Sequence, residues 1–405
     1  NKSTVSFFIG EYDHTKTIII DPWVTATVLP STNKAYEVEK DPAGNVYVYG
    51  GTNPFVVNKY NSLGTIIWTL NLPLAPGTTW SGDLLVDNNS FSYVTNAGVG
   101  PGNNIVKIDN ITGLSVWAVY SGNGEYFRLT HNCDNSKVYS AGGPALAYMH
   151  EINAATGSST TTLFMAGNAE IKSITKAPNG NYYFLTNSNN RLYSASSLFS
   201  VLWSIPSTHN YTYYTPNYLI QNGGSNYIAV NNQFIYTYDG TLLLKRNICN
   251  GALLASTNVP GGVFELNGGL LLDSCGSVYA GGQNGIYKYD ANLNLLTSYP
   301  TSAAVYDINI GINAGEVLAC GDGFVSSVNV GMCQKIPFPA ICNPTLTATI
   351  TTTSPSCSAA CTGTATATPS GTPPYTYLWM PGGQTTQTAT GLCPGTYSLT
   401  ITDRY

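Results

Sequence analysis

Few residues in this sequence have types and spacings that could do chemistry. His150 and Glu151 are adjacent and form the simplest acid/base couple a chain can offer. They open a hairpin strand, however, and read as two solvent-facing side chains. Asp290-Ala291-Asn292-Leu293-Asn294 has the oxygen spacing that begins a calcium loop. It lacks the glycine and the twelfth-position Glu that complete one, so the run reads as a turn. Hydrolysis by a nucleophile needs a Ser or Cys with a base, and no Gly-x-Ser-x-Gly elbow occurs. Asp41, Asp87, Asp109, Asp239 and Asp290 sit at turn openings, where a carboxylate caps backbone N–H groups. The expectation is no enzyme, no catalytic residue, no resident metal and no cofactor.

Two other groups deserve a reading. Tyr211, Tyr213, Tyr214 and Tyr218 crowd among Asn and Thr in His209–Tyr218. Exposed tyrosine rings stack on sugar faces, which makes them candidate glycan contacts. The competing reading is a connection whose alternate tyrosines pack inside. Nine cysteines occur, with no Cys-x-x-Cys pair and only four histidines, so zinc knuckles are excluded. Cys249, in a hairpin turn, and Cys275, at the entry to the next repeat, are expected to form a disulfide worth roughly 3 kcal/mol. The sequence leaves Cys133, Cys320, Cys333, Cys342, Cys357, Cys361 and Cys393 without assigned partners.

Composition narrows the classes. Lys and Arg number 16 and Asp and Glu 21 in 405 residues, so 9% is charged against the ~25% usual for soluble domains. So few cations, at net charge −5, argue against nucleic-acid partners. No apolar run approaches the ~20 residues of a membrane span, and no signal peptide is visible. Low charge and sequons at Asn88, Asn110 and Asn210 fit an extracellular, oxidising location, where disulfides are the default for cysteine.

The elements follow from a repeat of about 45 residues. A turn leads into a small-aromatic strand at Gly44–Val48, Ser90–Val94, Ser136–Ser140, Gly180–Phe184, Ser225–Ile228, Gly276–Ala280 and Gly315–Ala319. An apolar strand, a turn and another apolar strand follow, as in Lys59–Trp68, Ile108–Trp117 and Tyr289–Leu296. Four short strands per period and seven copies predict an all-β chain with a seven-bladed β-propeller over 22–333. The seventh copy lacks an outer strand of the kind marked by Trp68, Trp117 and Trp203, and Trp23–Leu29 has that character. Closing the ring with it would protect the sheet edges.

Three resemblances add to this reading. The Asp109–Trp117 hairpin is similar to those of quinoprotein blades, but seven copies and no cationic cofactor cluster argue against quinone chemistry. Gly10–Trp23 followed by Asp41–Gly50 resembles the entry into SBBP-type β-propellers of large secreted bacterial proteins. Ser354–Cys357, Cys361–Thr366, Gly371–Trp379, Gly391–Tyr397 and Thr400–Asp403 together resemble the SprB-type repeat of Bacteroidota surface adhesins, exported by type IX secretion. That family continues with a Gly-Cys pair where Arg404-Tyr405 stand, which implies a piece of a longer protein.

From the residues alone, 344–405 reads as an immunoglobulin-like β-sandwich module with Trp379 in its core, behind a Pro-rich linker at 334–343. Residues 1–21 read as a β-hairpin segment. Its Phe7, Ile9, Ile18, Ile19 and Ile20 would seek cover from another chain. The expected function is a non-catalytic structural or adhesive protein of the bacterial cell surface, self-associating head-to-tail into an assembly or filament. The alternative is a glycan-binding propeller module of an adhesin.

Overall fold

The computed structural model describes residues 24–25, 34–51, 54–72, 81–87, 90–96, 105–119, 126–131, 135–142, 147–165, 171–177, 180–186, 190–196, 199–207, 227–260, 268–330, 332, 348–353, 361–369 and 375–402. Their regular structure is entirely β. Six four-stranded antiparallel sheets are each built from consecutive strands spanning 35–71, 81–119, 126–165, 171–206, 228–258 and 270–300. We number them one to six. Sheet seven holds Val305–Ile310, Glu316–Gly321 and Val325–Asn329, and its fourth strand is Val24–Thr25 from the other end of the chain. Val24 lies opposite Ser326 and Thr25 opposite Val325, in the segment to which the strand count gave that place.

The first strands of successive sheets touch in order from sheet one to sheet seven, and that of sheet seven returns to that of sheet one. A bridge between Lys34 and Asp322 joins the same two sheets. Burial follows this stacking. Every residue of Val46–Gly50 and Tyr182–Thr186 is buried, because a neighbouring sheet covers each face. The outer strand Ile66–Asn71 is exposed or half-buried throughout.

The repeated turn explains the repeat. Asp41 Oδ1 accepts the Asn45 N–H at 2.9 Å, Gly44 supplies a φ of +83°, and Tyr47 donates its hydroxyl to Asp41 Oδ2 at 3.0 Å. Asp87 does the same for Phe91 and Tyr93, and Asp273 for Ser277 and Tyr279. The fifth copy corrects the sequence register. Ser225–Ile228 leads into the first strand of sheet five, Ile228–Val230, and the second strand is Phe234–Tyr238. Asn231 makes the turn between them by accepting the Gln233 and Phe234 N–H groups.

Adjacent sheets are tied at their outer halves. Lys59 Nζ and Trp68 Nε1 of sheet one donate to the Asn110 carbonyl of sheet two, at 2.7 and 3.1 Å. Lys107 and Trp117 meet the Ala154 carbonyl of sheet three in the same way. Lys288 and Tyr299 of sheet six share the Val330 carbonyl. Gly113 (φ +72°) lies so close under Trp68 that a Cβ would sit 2.8 Å from the indole.

Past the linker, Ala348–Thr353, Gly363–Pro369 and Thr388–Leu392 form a three-stranded sheet, and Thr376–Met380 pairs with Ser398–Thr402. Their core is Ala365, Ala367, Trp379, Ala389 and Leu392. A Cys361–Cys393 disulfide joins the segments before and after its strands.

Candidate functional site

Among the described residues, the largest concentration of buried charge comes from one position repeated along the first strands. Glu37, Asp83, Arg128, Ser173 and Asp307 are each the third residue of a first strand. In every case the ladder to the second strand shifts register next to that residue. A bulge bends the strand and re-aims the side chain. Here it aims polar groups from five sheets, four of the groups charged.

Arg128 Nη1 lies 2.9 Å from Glu37 Oε1 and 3.1 Å from Asp83 Oδ1. The Leu129 N–H donates to Asp83 Oδ2 at 2.6 Å, and the Val38 N–H to Asp307 Oδ2 at 3.2 Å. The Tyr227 N–H donates to Ser173 Oγ at 3.3 Å. In each case a side chain on one sheet takes up an N–H of the next. Glu37, Asp83, Arg128 and Asp307 are all at most 4% exposed.

The electrostatics follow from burial. Desolvation pushes the Glu37 carboxyl well above its ordinary range, Asp307 adds to the push, and Arg128 opposes it. Asp83 is raised by burial too, against the pull of Arg128 and the Leu129 N–H. Burial works against the Arg128 charge, but Asp83 and Glu37 outweigh it and the guanidinium pKa is raised. Arg128 pairs with Glu37 and Asp83, and Asp83 and Asp307 each take up a backbone N–H. Chemically, the arrangement joins sheets one, two, three and seven.

The residues singled out from the sequence fare differently. Cys249 is a free, exposed thiol, whereas Cys275 is in a disulfide. The expected Cys249–Cys275 bond is therefore not formed, and the partner of Cys275 lies outside the described residues. The Cys249 turn is closed instead by hydrogen bonds, Asn247 Oδ1 accepting the Cys249 N–H and Asn250 Oδ1 the Ala252 N–H. Cys320 is free and buried.

His150 is not solvent-facing. It is 2% exposed, and burial pushes its imidazole down to about 4, while Glu151 pairs with Lys137 at 2.7 Å. Alternation along a strand sends the two neighbours to opposite faces. Asp290 caps its own turn, accepting the Asn292 and Asn294 N–H groups and the Asn294 amide. Among the described residues no group of three or more His, Cys, Asp and Glu is placed to hold a metal ion. In the Asn110 sequon the asparagine is buried, its Oδ1 accepting from Ser92, while Ile111 and Thr112 are exposed. Phe7, Ile9, Ile18, Ile19, Ile20, Tyr211, Tyr213, Tyr214, Tyr218, Cys133, Cys333, Cys342 and Cys357, with the linker and the Asn88 and Asn210 sequons, lie outside the described residues.

Sequence reasoning missed the axial charges. The signal was available: Glu37, Asp83, Arg128 and Ser173 follow one another at intervals of 46, 45 and 45, the period of the repeat.

No protein-family model matches this chain, and no curated protein does. Among solved structures it is similar to the β-propeller domain of Cps50 (Swd1) from Myceliophteria thermophila, with TM-score 0.56 and 9% identity, over 73% of this chain and 96% of that one. The chain has a β-propeller fold. At that identity the likeness speaks for the fold alone. Among the described residues no helix is long and apolar enough to cross a membrane.

Proposed function

We propose that this chain is a non-catalytic structural or adhesive protein of the bacterial cell surface, a subunit of a self-associating assembly. The seven sheets are the blades of a closed seven-bladed propeller, and 344–405 is an immunoglobulin-like module of the SprB type. The resemblance of the entry sequence and of the C-terminal motifs supports reading it with SBBP- and SprB-containing proteins of Bacteroidota that leave the cell by type IX secretion.

One observation carries the non-catalytic reading. Among the described residues the charged groups of the first strands, Glu37, Asp83, Arg128 and Asp307, are buried and face one another or a neighbouring strand's N–H. The bonded cysteines at 275, 361 and 393 support an oxidising location.

The test is sedimentation of the purified full chain over a wide concentration range, beside a glycan array. Reversible growth in mass with no glycan signal is expected. A monomer at every concentration that binds defined glycans would replace this reading with that of a glycan-binding adhesin module.

A further inference from the structure

Sheet edges are where β-proteins invite other strands, and this molecule treats its edges in two ways. In sheets one to six the outer strand is bulged against its neighbour, with a register shift in every case. In sheet seven the described part of the outer strand is Val24–Thr25. Bulges and very short edge strands are the devices that block edge-to-edge pairing.

Ala348–Thr353 has neither device. Its six residues pair with Gly363–Pro369 in unbroken register from Ala348–Pro369 to Thr353–Thr364, and all six are exposed. No other described strand with recorded burial is exposed at every position. It carries no charge, no proline and no glycine. Its two faces differ. Thr349, Thr351 and Thr353 continue a threonine surface in which Thr353 bonds Thr364 at 2.7 Å and Thr366 bonds Thr388 at 3.0 Å. Ile350 lies opposite Ala367 on the core side, yet it is 49% exposed. Ile350 thus stands outside the buried core of Ala365, Ala367 and Trp379, an apolar side chain uncovered at this edge.

We infer that this edge is a self-pairing surface, where the Ala348–Thr353 strand of a second copy adds antiparallel to form one continuous six-stranded sheet. The inference rests on the self-association proposed above and names its surface. The strand is complementary to itself. Without charge it does not repel its copy, and in a two-fold pairing each residue must meet one on the same face. Setting Ile350 opposite Ile350 does this, with Ala348 opposite Thr352 and Thr349 opposite Thr351. The two isoleucines then cover each other, while the threonine surface runs across the join.

The experiment uses the full chain and its Ile350→Lys and Ile350→Glu variants, followed by sedimentation, with melting curves to show that each variant is folded. Each variant alone should raise the dissociation constant of the pair by at least about tenfold, as edge charges do. Mixing the two should restore pairing, because Lys then faces Glu across the two-fold axis. Association unaffected by either variant overturns the inference but leaves self-association standing. So does a mixture that is not restored. Association abolished by Phe7→Lys but not by Ile350→Lys overturns it in favour of strand addition by the N-terminal segment. A chain monomeric at every concentration overturns both the inference and the proposed function.

Discussion

The propeller sheets and the C-terminal sheets solve the same problem by opposite means. Each propeller sheet lies between two others and shares a core with them, rich in large side chains such as Tyr36, Tyr47, Tyr49 and Tyr306. The same small ties then recur from sheet to sheet: a lysine and an indole on a turn carbonyl, or an axial side chain on a neighbour's N–H. The C-terminal sheets have one core of three alanines, a leucine and Trp379, plus one disulfide. Repetition makes each tie in the propeller individually dispensable. In the small module each element is decisive, as expected where a core is too small to stabilise itself.

The axial cluster is the exception within the propeller, and breaking it should have the largest effect. Arg128→Met leaves Glu37, Asp83 and Asp307 buried without their cation and should lower unfolding free energy by about 3–5 kcal/mol in urea titration. Adding Glu37→Gln should recover part of the loss. Unchanged stability in Arg128→Met would place the cluster among the dispensable ties.

In the module, Cys361→Ser with Cys393→Ser should cost about 3 kcal/mol, read as separate, earlier loss of the Trp379 fluorescence signal while the propeller melts as before. Concerted melting of the two regions would contradict their independence.

How much of this was legible in the sequence follows from where the information lies. The turn of Asp41, Gly44 and Tyr47 is local, so its spacing announced both the strands and their repetition. The closing strand at Val24–Thr25 followed from counting, because an unpaired edge must be covered. Trp379 was legible as the core of its module, whereas the strand Thr388–Leu392 was not: its Thr-Ala-Thr-Gly run is short and carries little apolar signal. The buried charges were hidden because adjacent members lie about 45 residues apart, and only the bulges and the stacking of the sheets bring them together. His150 was misjudged because a polar residue in an alternating strand reads as surface, while sheets buried on both faces break that rule.

That burial gives a smaller, pH-dependent effect. His150 is held neutral, with its imidazole pushed down to about 4 from an ordinary ~6.5. Its contribution is complete above pH ~6.5, where folded and unfolded chains are both unprotonated there, and is lost as pH falls through about 4. The loss should be on the order of 2 kcal/mol, and it should vanish from the pH–stability profile of His150→Gln.

Smallest of all should be Trp68→Phe, which removes one N–H donor from the Asn110 carbonyl while Lys59 still holds it. About 1 kcal/mol is expected, without change in assembly. A loss as large as that of Arg128→Met would mean that the repeated ties are not interchangeable.

The central claim, that this is a self-associating structural protein whose ring guards its edges and whose module offers one, is tested most directly by electron cryomicroscopy of the purified chain as concentration is raised. The account predicts ordered assemblies in which copies join through the Ala348–Thr353 edge while the outer strands of the propeller face solvent. Particles that remain single at every concentration, or copies joined strand-to-strand through the propeller rim, would contradict it.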